Sequence, residues 1–219
     1  MADEPLVSIC IPTYNRARMI SMAIESALAQ TYPNIEVLVV DNASTDDTAA
    51  VVASHHDDRL KYHKNERNQG LFGNFNRCVE LAAGEFIHIL HSDDSIDPDF
   101  TKTCVRFFLD HPSVMLTFTS AVILSGDARI DISYADKDAV YLAPDGFRRV
   151  LTEQSFIVCP SVMIRREVYD EFGPYSLEYP YSADLDYWLK VTRVYDIGFV
   201  KNACLNYRQG EHSETYQHL

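Results

Sequence analysis

Positive charge is scarce in this sequence. Lysine and arginine number 19 against 32 aspartates and glutamates in 219 residues, so the formal net charge is −13 at pH 7. Nucleic acids and anionic membranes are bound through clustered cations, and neither is expected as the main partner of this chain. An anionic small ligand stays compatible with this composition if a metal ion neutralises part of the ligand's charge.

Paired cysteines and long apolar runs are also missing. The five cysteines are scattered and form no C-x-x-C pair, so we expect reduced thiols rather than a disulfide framework or a structural zinc site. No stretch approaches the roughly 18 consecutive apolar residues of a transmembrane helix. The acidic start at residues 1–5 does not resemble a secretory signal. These features predict a protein of the cytoplasm.

Short apolar segments alternate with helical patterns through the first half of the chain. The runs at residues 6–11 and 35–40 are typical of buried strands. Between these runs, apolar residues recur at the spacing of one helical face, which predicts a helix over residues 20–28. Further strands are expected at residues 86–90 and 114–119. Strands that alternate with helices indicate an α/β fold with a mostly parallel central sheet flanked by helices.

The second half of the chain is less regular. A polar stretch at residues 125–141 predicts a surface loop or hairpin, and helical patterns follow at residues 166–172 and 184–194. No repeat or low-complexity linker separates the two halves. We therefore expect a single domain over residues 1–219.

Polar side chains follow three of the expected strands, at the point where each strand ends. They occupy residues 12–16, 41–44 and 92–94. Ligands of open α/β sheets bind at the carboxyl ends of strands, so one shared site would explain all three. Three unrelated turns or helix caps are the alternative, and Ser44 with Asp47 resembles such a cap. The adjacent carboxylates of Asp93 and Asp94 favour a bound cation, because they repel each other without one.

Five short motifs occur in the order typical of one enzyme family. They are VSICIPTYNR at 7–16, VVDNASTD at 39–46, NQG at 68–70, AGEFI at 83–87 and LHSDD at 90–94. Together they resemble family 2 of the glycosyltransferases, strongly over residues 5–100 and more weakly to about residue 210. The resemblance implies a GT-A fold, Rossmann-like in its nucleotide-binding part, and transfer of a sugar from a nucleotide diphosphate sugar with inversion at the anomeric carbon. Residues 1 to about 120 would bind the nucleotide sugar, and residues from about 121 to 219 the acceptor.

The resemblance also implies roles for individual residues. The nucleotide-sugar pocket would be lined by Pro12, Thr13, Tyr14, Asn15, Asp41, Asn68, Gly70, Ser92 and Asp93. Asp41 would accept a hydrogen bond from the base, while Asp93 and Asp94 would hold Mn²⁺ or Mg²⁺ beneath the diphosphate. His212 would complete the metal site, with an exposed tail histidine as the alternative. The family motif usually has an aspartate in place of His91, which leaves the choice of metal open.

Inverting transfer needs a base that removes the proton of the acceptor hydroxyl. Residues 182–190 resemble the base-bearing segment of the family, with Asp184 as the base and Ala183 in place of a preceding acid. Asp186 is the rival, but two positions on a helix point about 200° apart, so the two carboxylates cannot share one acceptor. A helix cap is the alternative role for Asp184. Trp188 is expected in the core rather than under a sugar.

Other charged residues are given structural roles. His88 and His91 lie three apart on an expected strand, so they should point to opposite faces and not share a metal. Arg165 and Arg166 are expected as exposed surface charge, with contact to a phosphate-bearing acceptor as the alternative.

The sequence thus predicts a metal-dependent inverting glycosyltransferase of polysaccharide or lipopolysaccharide synthesis, with Mn²⁺ or Mg²⁺ as cofactor. A UDP-sugar is the expected donor, and a glycan or lipid-linked hydroxyl the expected acceptor. One alternative is a non-catalytic nucleotide-sugar-binding protein, which the departures at His91 and Ala183 favour. Another is a sugar nucleotidyltransferase, although the glycine-rich basic loop of that class is missing after the first strand. A cytoplasmic location is expected, and peripheral contact with the inner membrane face stays open.

Overall fold

The computed structural model describes residues 4–153 and 156–210, which form one mixed β-sheet flanked by α-helices. The strands are β1 (Val7–Thr13), β2 (Ile35–Asp41), β3 (Leu60–Lys64), β4 (Phe86–Ile89), β5 (Ser95–Ile96), β6 (Val114–Ser125), β7 (Ala128–Ile132), β8 (Ala139–Tyr141), β9 (Met163–Arg165) and β10 (Asp196–Arg208). The helices are α1 (Ile20–Leu28), α2 (Thr48–Ala53), α3 (Leu71–Leu81), α4 (Phe100–Asp110), α5 (Ala143–Thr152), α6 (Arg166–Phe172) and α7 (Ala183–Thr192).

The strand order across the sheet is β3-β2-β1-β4-β9-β6-β10-β5, with β7 beside β6 and β8 beside β10. Strands β1 to β4 are parallel, as the sequence predicts, and β6 is parallel to β10. The second half adds antiparallel pairings, because β6 continues into β7 through a tight turn and β9 runs against both β4 and β6. The α/β class is confirmed, and its sheet is mixed rather than parallel throughout.

Strand β1 is buried along its whole length because helices cover both faces of the sheet. Its side chains alternate between two hydrophobic clusters: Ile9 packs on the side of α1 and α4, and Cys10 on the side of α3. Ile24 of α1 is fully buried in the first cluster, and Phe75 of α3 in the second. Complete burial of each such side chain stabilises the fold by about 1.5–3 kcal/mol. This packing fixes the strand ends that carry the polar motifs.

Within the polar stretch at residues 125–141, β7 forms a hairpin with β6, and Gly126 adopts a φ of 56° in the turn between them. The stretch then ends in β8, which pairs with β10.

The expectation of exposed arginines is wrong. Arg165 lies over the rings of Phe86 and Phe108 and donates hydrogen bonds to two backbone carbonyls. Arg166 donates to the carbonyl of Ala82, just after α3. Both guanidinium groups therefore hold the second half of the chain to the first.

His88 is fully buried in β4, and its Nδ1 donates a hydrogen bond to the Val162 carbonyl at 2.9 Å. Burial lowers the pKa of His88 from 6.5 to about 4. Between these two values the unfolded chain binds a proton that the folded chain does not, so stability falls as the pH drops through this window. The difference between the two pKa values corresponds to about 3 kcal/mol of unfolding free energy, and most of this stability is lost by pH 4.5.

We expect the free energy of unfolding of the wild type to fall by about 2–3 kcal/mol more than that of His88→Asn between pH 7 and pH 4.5. The asparagine amide keeps a donor for Val162 but does not titrate. Urea denaturation of both proteins at the two pH values measures the difference. Parallel losses in the two proteins would contradict the burial of a neutral His88.

Candidate functional site

The carboxyl ends of β1, β2 and β4 meet at one edge of the sheet. Thr13 pairs with Asp41 in the parallel register, and the Asn42 amide donates to the Thr13 carbonyl at 2.8 Å. Leu90, which follows β4, donates its amide to the Cys10 carbonyl at 2.8 Å. The three polar segments of the sequence therefore converge as expected, because parallel neighbours end at the same edge.

The loops after β1 and β2 are joined by hydrogen bonds. The Asn15 amide donates to Ser44 Oγ at 2.8 Å, and the Thr45 amide donates to Asn15 Oδ1 at 2.9 Å. The predicted cap of Ser44 with Asp47 is wrong: α2 begins at Thr48, and the Ser44 hydroxyl serves the β1 loop instead. Asn15 adopts a φ of 53°, which this double link holds in place.

Asp41 is completely buried at the end of β2. Its Oδ1 accepts a hydrogen bond from the Ser44 amide at 2.8 Å, and its Oδ2 accepts one from the Tyr62 hydroxyl at 2.5 Å. Burial and the bond to Asp41 raise the pKa of Tyr62, so this hydroxyl stays protonated and keeps donating. The role of Asp41 in recognising a base stays a prediction, and Tyr62 is the partner that the sequence did not indicate.

Asn42 holds the loop that carries Asn68 and Gly70. Its Nδ2 donates to Asn68 Oδ1 at 2.8 Å and to the Gly70 carbonyl at 3.1 Å. Its Oδ1 accepts from the Gln69 amide at 2.9 Å. Asn68 and Gly70 are exposed, so this link presents them at the strand-end edge, where the resemblance implies a nucleotide. In the sequence, Asn42 is indistinguishable from an ordinary turn asparagine.

The remaining predicted pocket residues divide by exposure. Pro12, Thr13 and Ser92 are buried, whereas Tyr14 is 45% exposed. The Thr13 hydroxyl is buried without a hydrogen-bond partner in the described part of the chain. An unsatisfied hydroxyl at the end of β1 is a group that a ligand can satisfy.

His91, Asp93 and Asp94 form a cluster whose ligand atoms all lie within 4.8 Å of one another. Asp94 is fully buried, and its Oδ1 accepts the Arg208 amide of β10 at 2.7 Å. Its Oδ2 has no hydrogen-bond partner among residues 4–153 and 156–210, and lies 3.8 Å from His91 Nδ1. Burial, and then the neighbouring Asp93, raises the pKa of Asp94 well above its ordinary value.

A divalent cation fits this cluster. A buried carboxylate oxygen without a donor is costly, and a cation satisfies it. Two carboxylates with one imidazole are a donor set that divalent metals accept. The sequence predicted Asp93 and Asp94 as metal ligands, and His91 was only a departure from the family motif. The structure places the His91 imidazole within the cluster. His88, as predicted, does not take part. The predicted ligand His212 lies outside the described residues.

Asp184 lies in the first turn of α7, and Ser182 occupies the cap position, so Asp184 is not the helix cap. Its Oδ1 accepts the Leu185 amide at 2.9 Å. Burial raises the pKa of Asp184, opposed by this amide, by the charge of His91 and by a hydrogen bond from the Cys159 thiol. Cys159 is a neighbour of Asp184 that no sequence pattern indicated.

Asp186, the alternative candidate for the base, is engaged in an ion pair. Its carboxylate pairs with Lys190 one helical turn later, at 2.6 Å. Trp188 is 3% exposed and packs in the core, as predicted. Asp184 is therefore the carboxylate of α7 that has an environment suited to a base.

Within residues 4–153 and 156–210, no helix has both the length and the apolar character needed to cross a membrane.

Known proteins resemble this chain in sequence and in fold. The family model "Glycosyl transferase family 2" matches residues 8–173. The uncharacterised protein MT1568 of Mycobacterium tuberculosis is 32% identical over 201 residues, which cover 86% of this chain and 62% of MT1568. WfgD of Escherichia coli, named as a UDP-Glc:alpha-D-GlcNAc-diphosphoundecaprenol beta-1,3-glucosyltransferase, is 29% identical over 216 residues, covering 96% of this chain and 80% of WfgD.

Solved structures of TarS from S. aureus share the fold. The complex with UDP superposes with a TM-score of 0.79 at 22% identity and covers 94% of this chain and 61% of that chain. The complex with UDP-GlcNAc gives a TM-score of 0.79 at 24% identity, with 94% and 60% covered. This chain thus spans about three fifths of the length of the TarS fragment 1–349 and of MT1568. The expected GT-A fold is confirmed, and the match over residues 8–173 shows that the chain belongs to glycosyl transferase family 2.

Proposed function

We propose that this chain is a metal-dependent inverting glycosyltransferase of polysaccharide or lipopolysaccharide synthesis. It would transfer a sugar from a UDP-sugar to a hydroxyl of a glycan or lipid-linked acceptor. The observation that carries the proposal is the cluster of His91, Asp93 and Asp94 at the strand-end edge, whose ligand atoms all lie within 4.8 Å of one another.

In this proposal each residue has one task. The acceptor oxygen forms a bond to the anomeric carbon while the bond from that carbon to the β-phosphate oxygen breaks, and UDP leaves. Asp184 takes the hydroxyl proton, and its raised pKa makes it a stronger base than an exposed carboxylate. Asp93 and Asp94 would hold Mn²⁺ or Mg²⁺, with His212 as a further ligand. The cation, when bound, neutralises the diphosphate so that UDP leaves without a general acid.

The nucleotide would lie along the loops at the strand-end edge. The exposed Tyr14, Asn15, Asn68 and Gly70 lie on loops that Asn42 and Ser44 hold together, which supports a preorganised site over residues 1 to about 120. Residues from about 121 to 219, which include Asp184, would hold the acceptor. The UDP and UDP-GlcNAc in the TarS structures and the UDP-Glc in the name of WfgD support a UDP-sugar donor.

The name of WfgD includes a lipid-linked acceptor, which supports a cytoplasmic location of this chain beside the inner membrane face.

A non-catalytic nucleotide-sugar-binding protein is the second candidate, since His91 and Ala183 differ from the family pattern. The half-buried Asp184 with a raised pKa favours catalysis over binding alone, because binding an anionic sugar nucleotide gains nothing from another carboxylate. The nucleotidyltransferase is disfavoured by the loop after β1, which lacks the glycines and cations of that class.

A donor screen tests the proposal. Purified protein is incubated with UDP-Glc, UDP-GlcNAc, GDP-mannose or dTDP-glucose, with an undecaprenyl-diphosphate sugar as acceptor, in Mn²⁺ or in EDTA. We expect UDP release from a UDP-sugar that falls by about 100-fold or more in EDTA, and a β-linked product from an α-linked donor by NMR.

The alternatives give different results in the same screen. A nucleotide that raises the melting temperature without any release would support the binding protein. In parallel incubations with added pyrophosphate, its reaction with the nucleotide sugar to a nucleoside triphosphate and a sugar phosphate would support the nucleotidyltransferase. A product with retained configuration would contradict Asp184 as the base of a direct displacement.

A further inference from the structure

His91 stands among the cation donors with defined geometry. It lies two residues after the end of β4, its side chain is 27% exposed, and its ring lies 5.6 Å from the ring of the buried Phe75. Its Nδ1 is 3.8 Å from Asp94 Oδ2, the buried oxygen that lacks a hydrogen-bond partner among the described residues. The third donor of the cluster is Asp93. One ion at the centre of this cluster would satisfy the open oxygen and contact the imidazole together.

We propose that His91 is a ligand of the cation and that its imidazole shifts the preference of the site from Mg²⁺ towards Mn²⁺ and Co²⁺. This inference rests on the proposed function, because it concerns the ion of that same site. It assigns a role to the position at which this chain departs from the aspartate of the motif.

The chemistry of the donors gives the direction of the preference. Mg²⁺ binds oxygen ligands almost exclusively and keeps much of its water shell. Imidazole nitrogen suits the later divalent metals, and affinity at a given nitrogen and oxygen site rises from Mn²⁺ through Co²⁺. Replacing a third carboxylate by His91 therefore costs Mg²⁺ more than it costs Co²⁺.

The charge of the cluster gives a second consequence. With a divalent cation bound, Asp93 and Asp94 would both be ionised, and the cation would balance their two negative charges, so the loaded site would not repel an anionic diphosphate. A third carboxylate would leave the loaded site negative. His91→Asp is therefore expected to bind free Mg²⁺ more tightly than the wild type does, while the site loaded with Mg²⁺ binds UDP more weakly.

Pulsed EPR of bound Mn²⁺ reports the ligand directly. In the wild type with Mn²⁺ and UDP we expect a nitrogen coupling that changes when the protein contains ¹⁵N-histidine, which excludes the nitrogens of UDP. The coupling should fall or disappear in His91→Asp and remain unchanged in the control His56→Ala, which removes an exposed histidine between α2 and β3. Isothermal titration should show the ratio of Co²⁺ to Mg²⁺ affinity falling by about tenfold or more in His91→Asp.

Each outcome decides the proposal. Coupling of unchanged intensity in His91→Asp, or no histidine coupling in wild type that has Mn²⁺ bound, overturns it. If His91→Asp does not fold, His91→Asn gives the same EPR readout with a neutral side chain. If Mn²⁺ binds with UDP but shows no coupling to His91, this inference is wrong and the proposed function stands. If no Mn²⁺ binds with UDP, both this inference and the proposed function are wrong, so the two failures can be distinguished.

Discussion

Asp184→Asn is expected to lower kcat by about 10²–10⁴-fold, the usual contribution of a positioned base. The amide has nearly the same shape as the carboxylate and still accepts from the Leu185 amide, but it cannot take a proton. Binding of UDP with Mn²⁺ should stay within about twofold of the wild type, because the base acts on the acceptor. Initial rates of UDP release with saturating donor and acceptor measure the first effect, and calorimetry the second.

Asp186→Asn is the matched control on the same helix. Its carboxylate pairs with Lys190, so losing it removes a partly exposed ion pair of about 0.3–0.5 kcal/mol and leaves the chemistry in place. A loss of kcat in Asp186→Asn equal to that in Asp184→Asn would contradict the assignment. Activity indifferent to Asp184→Asn would do the same.

The pH profile of the wild type gives an independent check on Asp184. Burial raises its pKa, and the ionised form is the one that accepts a proton. Activity should therefore fall as the pH drops through a pKa above that of an ordinary aspartate. In Asp184→Asn the residual activity should lose this limb of the profile.

Local patterns predicted the elements that position the strand-end edge. The β-branched run of β1, the apolar run of β2 and the amphipathic spacing of α1 each encode their structure over fewer than about ten neighbours. Parallel strands end at one edge, so the convergence of Thr13, Asp41 and the segment around Asp93 followed from their order alone. These positions needed no knowledge of the rest of the chain.

Contacts between distant segments could not be predicted in this way. The sequence shows no sign that Tyr62 would bond Asp41, that Arg165 would lie over Phe86, or that the Arg208 amide would hold Asp94. The antiparallel β9 depends on the same kind of contact, because its direction is set by β4 and β6 on either side. Local propensity is silent about such pairings, and tertiary packing decides them.

His91 shows how a comparison with a motif can miss a candidate ligand. A comparison of letters registers only that an expected aspartate is missing, whereas the chemistry of the replacement decides whether the donor is lost. The geometry places its imidazole in the cluster, with Nδ1 3.8 Å from Asp94 Oδ2. Ser44 is the opposite case, since its letters fit a helix cap and its hydroxyl serves Asn15.

Asp93→Ala is expected to weaken UDP binding by about 30-fold or more in Mn²⁺, equivalent to about 2 kcal/mol, and to change it little in EDTA. Asp93 is half-buried, and its removal takes one of the donors from the cation that the diphosphate needs. Asp93 is more informative than Asp94, whose Oδ1 also holds the Arg208 amide and whose loss would disturb β10.

The control for charge alone is Asp110→Ala. Asp110 is exposed at the end of α4 that leads into β6, hence at the opposite edge of the sheet from the cluster. Calorimetric titration of UDP into wild type and both variants, each with Mn²⁺ and with EDTA, separates the contributions. The UDP affinity of Asp93→Ala should differ from that of the wild type in Mn²⁺ but not in EDTA, because a carboxylate that binds a cation matters only when the cation is present. The UDP affinity of Asp110→Ala should match that of the wild type in both solutions. Equal UDP affinity of wild type and Asp93→Ala in Mn²⁺ would mean that the carboxylates of this cluster are structural and that the nucleotide is held by other means.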